Sequence, residues 1–186
     1  MRRALALSAV IAACSHGPQE SAVKPLTAAD VANATLRTEY AESLATITLT
    51  NGHYASPDSG FQAMLLPNVV FGDLRGDTLL EAVAVLVTDP GGSGSFYDLV
   101  VLGATPDGPR ELAAASLGDR VDIENLMIAD RQILVQLVTQ GPADPMCCPS
   151  RREARTYALL GDSLALVGAP VLISDSARPD TGGMRL

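Results

Sequence analysis

The chain has 186 residues, 47% of them hydrophobic, with 21 acidic against 13 basic side chains and a formal charge of −8. That length fits one domain with tails, and with no tryptophan and only 4% aromatic residues the core has to be Leu, Val, Ile and Ala. There is no cationic stripe to displace counterions from phosphates and no basic patch for an anionic bilayer, which excludes nucleic acid and electrostatic lipid adhesion.

Met1-Arg2-Arg3 is a positive start, and Ala4 to Ala13 is an apolar stretch of signal-peptide length. It is far short of the ~20 residues that span a bilayer. Ile11-Ala12-Ala13-Cys14 resembles the bacterial lipobox, in which small residues precede a lipid-bearing cysteine. The resemblance implies cleavage before Cys14, a diacylglycerol on its sulfur and an acylated new N-terminus. An ordinary cleaved leader is the alternative. Two or three acyl chains make a durable anchor, at roughly 0.8 kcal/mol per buried CH₂. Loss of Arg2 and Arg3 with the leader takes the charge from −8 to −8 − 2 = −10. Residues 14–26 are polar, carry Pro18 and Pro25 and read as a tether, so His16 is a solvated histidine.

Residues 27–174 read as a single β-rich domain and 175–186 as a flexible tail. Thr27-Ala-Ala-Asp30 has the form of a capping box and opens a predicted helix through about Leu36. Thr46-Ile-Thr-Leu-Thr50 alternates and runs into Asn51-Gly52, the strongest short hairpin signal. Ser56 to Gly60 is a turn, and Gln62 to Phe71 is one strand or two broken at Pro67, at an edge or bulge. The centre of the chain is Glu81 to Thr88 paired with Phe96 to Leu102 across the mobile turn Asp89-Pro-Gly-Gly-Ser-Gly-Ser95. Glu111 to Ser116 follows as a strand. Two further hairpins are expected, Val121–Ile128 with Ile133–Thr139 and Ala154–Leu160 with Ser163–Val167, and Val171 to Ile173 closes an edge. About nine short strands with local turns predict an antiparallel meander, as a sandwich or a partly closed barrel. Because residues 81–88 are apolar on both faces, the sheet needs cover on both sides, the short N-terminal helix being one cover.

Asp73-Leu-Arg-Gly-Asp77-Thr-Leu-Leu-Glu81 places oxygen-bearing side chains at intervals of four along a loop that feeds a strand. It resembles the calcium loop of integrin FG-GAP blades, which implies a bound calcium held by Asp73, Asp77 and Glu81. Two departures stand out: Arg75 replaces an oxygen ligand and Thr78 a turn glycine. A guanidinium among these carboxylates can replace the ion electrostatically, so calcium and an Arg75-neutralised loop both stand as readings, and no other cofactor is expected. Gly91-Gly92-Ser93-Gly94 is followed by a strand and not by a helix N-terminus, so it reads as a hairpin loop and not a phosphate cradle. His53 is the one histidine of the body, and no serine is tied to it by pattern.

Asp144-Pro-Met-Cys-Cys-Pro149 brackets two adjacent cysteines with prolines. With Cys14 lipidated, Cys147 and Cys148 are the only free sulfurs of cysteine in an exported, oxidising setting. A disulfide between them, two buried thiols, or metal or intermolecular pairing are the open states. Together with Gly72-Asp73-Leu74, Gly91-Gly92-Ser93-Gly94, Leu117-Gly-Asp-Arg-Val121 and Gly141-Pro142, this stretch makes roughly residues 30–168 resemble an uncharacterised group of secreted bacterial proteins that shares these elements. That resemblance implies a grouping and no activity.

The expected function is a monomeric, lipid-anchored envelope protein, at the outer membrane or the periplasmic face of a membrane. It acts as a non-catalytic module binding an envelope protein or a small ligand. The alternative is a metal- or thiol-dependent protein using Met146, Cys147 and Cys148, whose soft sulfurs suit copper(I) or zinc. A hydrolase built on Asp73, Asp77 and His53 is the third reading.

Overall fold

The computed structural model describes residues 23–40 and 45–174. The leader, Cys14, most of the tether and the tail from Asp175 onward lie outside the described residues. One short helix, α1 (Ala28–Val31), precedes thirteen strands. These are β1 (Thr35–Arg37), β2 (Thr46–Thr48), β3 (His53–Ala55), β4 (Gln62–Leu65), β5 (Val70–Gly72), β6 (Glu81–Asp89) and β7 (Phe96–Thr105). Then come β8 (Gly108–Asp119), β9 (Asp122–Ala129), β10 (Gln132–Thr139), β11 (Arg151–Leu160), β12 (Ser163–Leu166) and β13 (Val171–Leu172).

Every pairing is antiparallel. A central sheet runs β3-β4-β6-β7-β8, with β5 beside β4 on the same flank of β6; a second runs β12-β11-β10-β9, with β13 beside β12 on β11. The β1–β2 hairpin stands as a third, two-stranded piece. Period-two alternation in β6 explains the layering. Ala82, Ala84 and Leu86 point into one cluster, shared with Val31 of α1, Leu36 of β1 and Ile47 of β2. Val83 and Val85 point into another, with Leu99, Ile133, Val135 and Leu137. Both faces of the central sheet are therefore covered, which is why residues 81–88 read as apolar throughout. Burying one Leu such as Leu86 contributes about 1.5–3 kcal/mol.

The helix is shorter than the capping signal suggests. Thr27 and Asp30 do form the reciprocal cap, but the chain leaves the helix after Val31, and Thr35-Leu36-Arg37 joins β1. A helix of one turn gains little by itself, and pairing Leu36 with Ile47 over the core outweighs continuing it. The count of strands also exceeds the expected nine. Pro67 splits residues 62–72 into β4 and β5, and Leu36 and Tyr54 each enter strands of three residues, too short to show a period.

The turns form where their residues predict. Asn51 and Gly52 take φ of 51° and 82°, and Asp130 and Arg131 take 50° and 59°, as type I′ hairpins require. The first of these hairpins nonetheless opens at once. Beyond the Thr50–His53 bridge, β2 pairs with β1, while β3 pairs with β4. The turn itself is clasped by the helix end: the Gly52 amide donates to the Ala32 carbonyl (2.6 Å) and the Asn51 amide to Asn33 Oδ1 (3.1 Å).

Candidate functional site

Four places in the described residues gather polar chemistry. In the acidic loop between β5 and β6, Asp73 accepts from the amides of Gly76 (2.6 Å), Asp77 (3.2 Å) and Thr78 (3.2 Å). Asp77 accepts from the Leu79 amide at 3.0 Å. Glu81 is wholly buried at the start of β6, where it accepts from the Leu74 amide and from Arg75 Nε, both at 2.9 Å. The Arg75 guanidinium also lies 3.4 Å from Asp77. Such tight folding around Asp73 needs left-handed backbone at Gly76 and Thr78 (φ 76° and 69°), and a Cβ on Gly76 would run into the Arg131 guanidinium.

The donor set does not fit calcium. Asp73 spends its oxygens on main-chain amides, Asp77 and Glu81 share a cation that belongs to the chain, and a divalent ion among them would meet the Arg75 charge. Among the described residues no three His, Cys, Asp or Glu side chains stand together in a metal-holding arrangement. His53 does not join this loop either. Gly72 of β5 pairs with Glu81 at one end of β6, whereas His53 of β3 pairs with Met64 of β4, which lies opposite Val87 toward the other end. Glu81 and Val87 are six residues, about 20 Å, apart along the strand. The structure does not bring Asp73, Asp77 and His53 together.

The loop 140–150 between β10 and β11 is folded around Asp144. Its carboxylate accepts from the Gly141 amide and from the amide and hydroxyl of Ser150, each at 2.7 Å. Gln140 donates to the carbonyls of Asp144 and Pro145 at 3.0 and 2.8 Å. The Gly141 amide first, then the Ser150 hydroxyl and amide, hold the Asp144 carboxyl below its ordinary range. From this base Met146, Cys147 and Cys148 project into solvent, Met146 being 69% exposed. Cys147 and Cys148 are joined by a disulfide between adjacent residues, with Cα atoms 3.8 Å apart, and the Cys148 amide returns to the Pro145 carbonyl (3.0 Å).

A groove of about 750 Å³ lies over the outer part of the central sheet and the gap between β2 and β3. Its walls include Thr48, His53, Ala55, Gln62, Met64 and Asp89. The glycine loop at one rim is stitched to the next turn: the Gly91 amide donates to Asp89, the Ser95 amide to Asp119 and Arg120 to the Ser93 carbonyl, at 2.8, 3.0 and 3.1 Å. These bonds brace the hairpin loop that its composition predicts.

On the other face, Asp98 of β7 lines a smaller cavity of about 310 Å³ with Tyr40 and Ser116. Burial pushes its carboxyl up to about 6, with Glu39 and Glu111 adding to the rise and the Ser116 hydroxyl opposing it. Besides Glu81, two carboxylates with buried side chains are paired to arginine. Glu111 takes the Arg37 amide (2.7 Å) and Nε (2.8 Å). Glu153 accepts from Arg155 Nε (2.7 Å). Arg151 Nε lies 2.9 Å from the other Glu153 oxygen with its N–H not aligned to it, a charge contact and not a hydrogen bond.

The sequence reading missed Asp98, Glu111, Glu153 and the groove. Each carboxylate occupies a strand position whose burial is set by a distant element. The one local signal was at Asp98, a charged residue inside the otherwise apolar run Phe96 to Leu102. No protein-family model, no curated protein and no solved structure matches this chain.

Proposed function

We propose that the protein is a lipid-anchored component of a bacterial envelope, tethered through Cys14, whose β domain is a non-catalytic binding module. The observation that supports binding most directly is the groove of about 750 Å³ with its mixed polar and apolar walls, a size usual for ligand sites. The leader residues Met1 to Cys14 support the anchor, and no helix among the described residues is long and apolar enough to cross a membrane. Cys14→Ala is expected to move the protein from membrane to soluble fractions, or to leave its leader attached. An unmodified Cys14 in protein extracted from its host overturns the anchor.

A second reading rests on the solvent-facing Met146, Cys147 and Cys148: a thiol- or metal-dependent role for the reduced pair. Metal analysis of reduced protein purified without chelator tests it. One equivalent of copper or zinc, lost on Cys147→Ser, would favour this role over the groove.

A further inference from the structure

We infer that the gap between β2 and β3 is a strand-insertion slot that takes an extended, cationic segment of another polypeptide. The inference deepens the binding-module reading by naming the class of partner for the groove.

The slot follows from hydrogen-bond parity. In the β1–β2 ladder the amides of Leu49 and Thr38 donate to the carbonyls of Ala34 and Ala45, so Ile47 and Leu49 face their partners on β1. The main-chain N–H and C=O of Thr48 then point the other way, toward β3. In the β3–β4 ladder the Leu65 amide donates to Gly52 and the Ser56 amide to Phe61, so Gly52, Tyr54 and Ser56 serve that ladder and Ala55 faces β2. An intact hairpin would join Thr48 to Ala55 as the rung after Thr50–His53. That rung is absent, and both residues line the groove.

The hairpin opens because β2 is drawn off. Ile47 and Leu49 turn down onto the first core cluster, and Arg37 carries β1 across to Glu111 on β8. The treatment of the two free edges differs. On β1, the amide of Arg37 that faces away from β2 is satisfied by the Glu111 carboxylate. Thr48 and Ala55 receive no such side-chain cap among the described residues. The facing main-chain donors and acceptors of Thr48 and Ala55 are matched by another backbone, since an extended chain presents both at that spacing.

Charge selects the segment. The groove walls hold Asp89 and no Lys or Arg, in a chain of net charge −8. Side chains alternate along an inserted strand. Those on one face meet Tyr54, packed with the first core cluster, and those on the other lie beside His53 and Ala55, with Gln62 and then Asp89 farther across the same face. An apolar residue alternating with a basic one fits both faces.

The test uses the full-length protein, labelled for amide NMR, and a short blocked peptide in which valine alternates with lysine. Binding is expected to shift the Thr48 and Ala55 amides and to protect them from exchange. N-methylation of alternate peptide amides should weaken binding about tenfold or more, because main-chain hydrogen bonds carry it. Glutamate in place of lysine should weaken it further. Ala55→Pro removes the amide that faces the slot and leaves the β3–β4 ladder its own donors, so it should lose binding. The N-methyl comparison decides the matter if that variant folds poorly. Binding indifferent to N-methylation, no binding at millimolar peptide, or Thr48 and Ala55 amides already protected in the free protein each overturn the slot. The last outcome would mean that this chain or a second copy fills it. None of these outcomes touches Cys14 fractionation, so loss of the slot and loss of the anchored-module reading are separate results.

Discussion

Asp73 and Asp144 each fold a loop around one carboxylate that gathers main-chain amides, yet the two loops close in opposite directions. At 73–81 the interior is filled: Arg75 reaches inward to the wholly buried Glu81, and the loop becomes part of the wall at the foot of β6. At 140–150 Gln140 and Ser150 brace the base from within, and that base displays Met146, Cys147 and Cys148 outward. A carboxylate that organises amides is therefore a structural device in itself. What makes one loop part of the wall and the other a display is that Arg75 bonds to a buried partner, Glu81, whereas Met146, Cys147 and Cys148 face solvent.

The largest expected effect comes from removing the inward anchor. Glu81→Ala leaves the Leu74 amide and Arg75 without their acceptor, at a cost of about 3 kcal/mol. Denaturant unfolding measures it, and a loss below about 1 kcal/mol would mean the loop is held otherwise. Arg75→Asn comes next. Without the guanidinium, Asp77 and Glu81 repel, so the variant should lose about 1–2 kcal/mol in EDTA and regain it with calcium as RT ln(1 + [L]/Kd). The wild-type melting temperature should be the same in calcium and in EDTA. A clear rise with millimolar calcium would show that Arg75 does not replace the ion.

Acid titration separates a buried carboxyl from the Asp144 brace. Asp98 binds its proton more tightly folded, at about 6, than at the ordinary 3.8. Its contribution is present below 3.8 and is lost as pH rises through about 6. Asp144 is depressed in the folded state, so its contribution holds above the ordinary range and is lost as pH falls through its lower folded value. Asp98→Asn should flatten stability between about pH 4 and 6, and Asp144→Asn should flatten it only below that. Amide exchange at Gly141 and Ser150 reports the second loss locally. An unchanged profile in Asp98→Asn would remove that residue from the account.

Reduction of Cys147–Cys148 should change least. The bond closes almost no loop, so its chain-entropy contribution is small, and Asp144 supports the loop without it. Melting with and without a dithiol reductant should agree within about 0.5 kcal/mol. Alkylation and intact mass should show two thiols only after reduction; thiols that alkylate without reductant would rule the bridge out.

Much of the fold was legible in order. Asn51-Gly52 and Asp130-Arg131 turn where their φ preferences allow, and the apolar run at 81–88 is the doubly covered strand it reads as. The acidic loop was half legible. The intrusion of Arg75 among carboxylates was visible in sequence, but the full burial of Glu81 was not, because it depends on β5 pairing beside the foot of β6 and on β9 packing against β5. The exposure of Cys147 and Cys148 was not legible either, since Met-Cys-Cys between prolines suits a buried knuckle as well as a displayed one.

The sequence by itself determined the strand periods, the turn positions and the presence of two adjacent cysteines, because φ preference and alternation act over a few residues. Tertiary structure alone decided that the Asn51-Gly52 hairpin opens into a groove. Closing it would have formed one more local rung, at Thr48 and Ala55. Opening it lets Ile47 and Leu49 bury on the core and lets Glu111 capture Arg37 from 74 residues away, and those distant gains outweigh the rung.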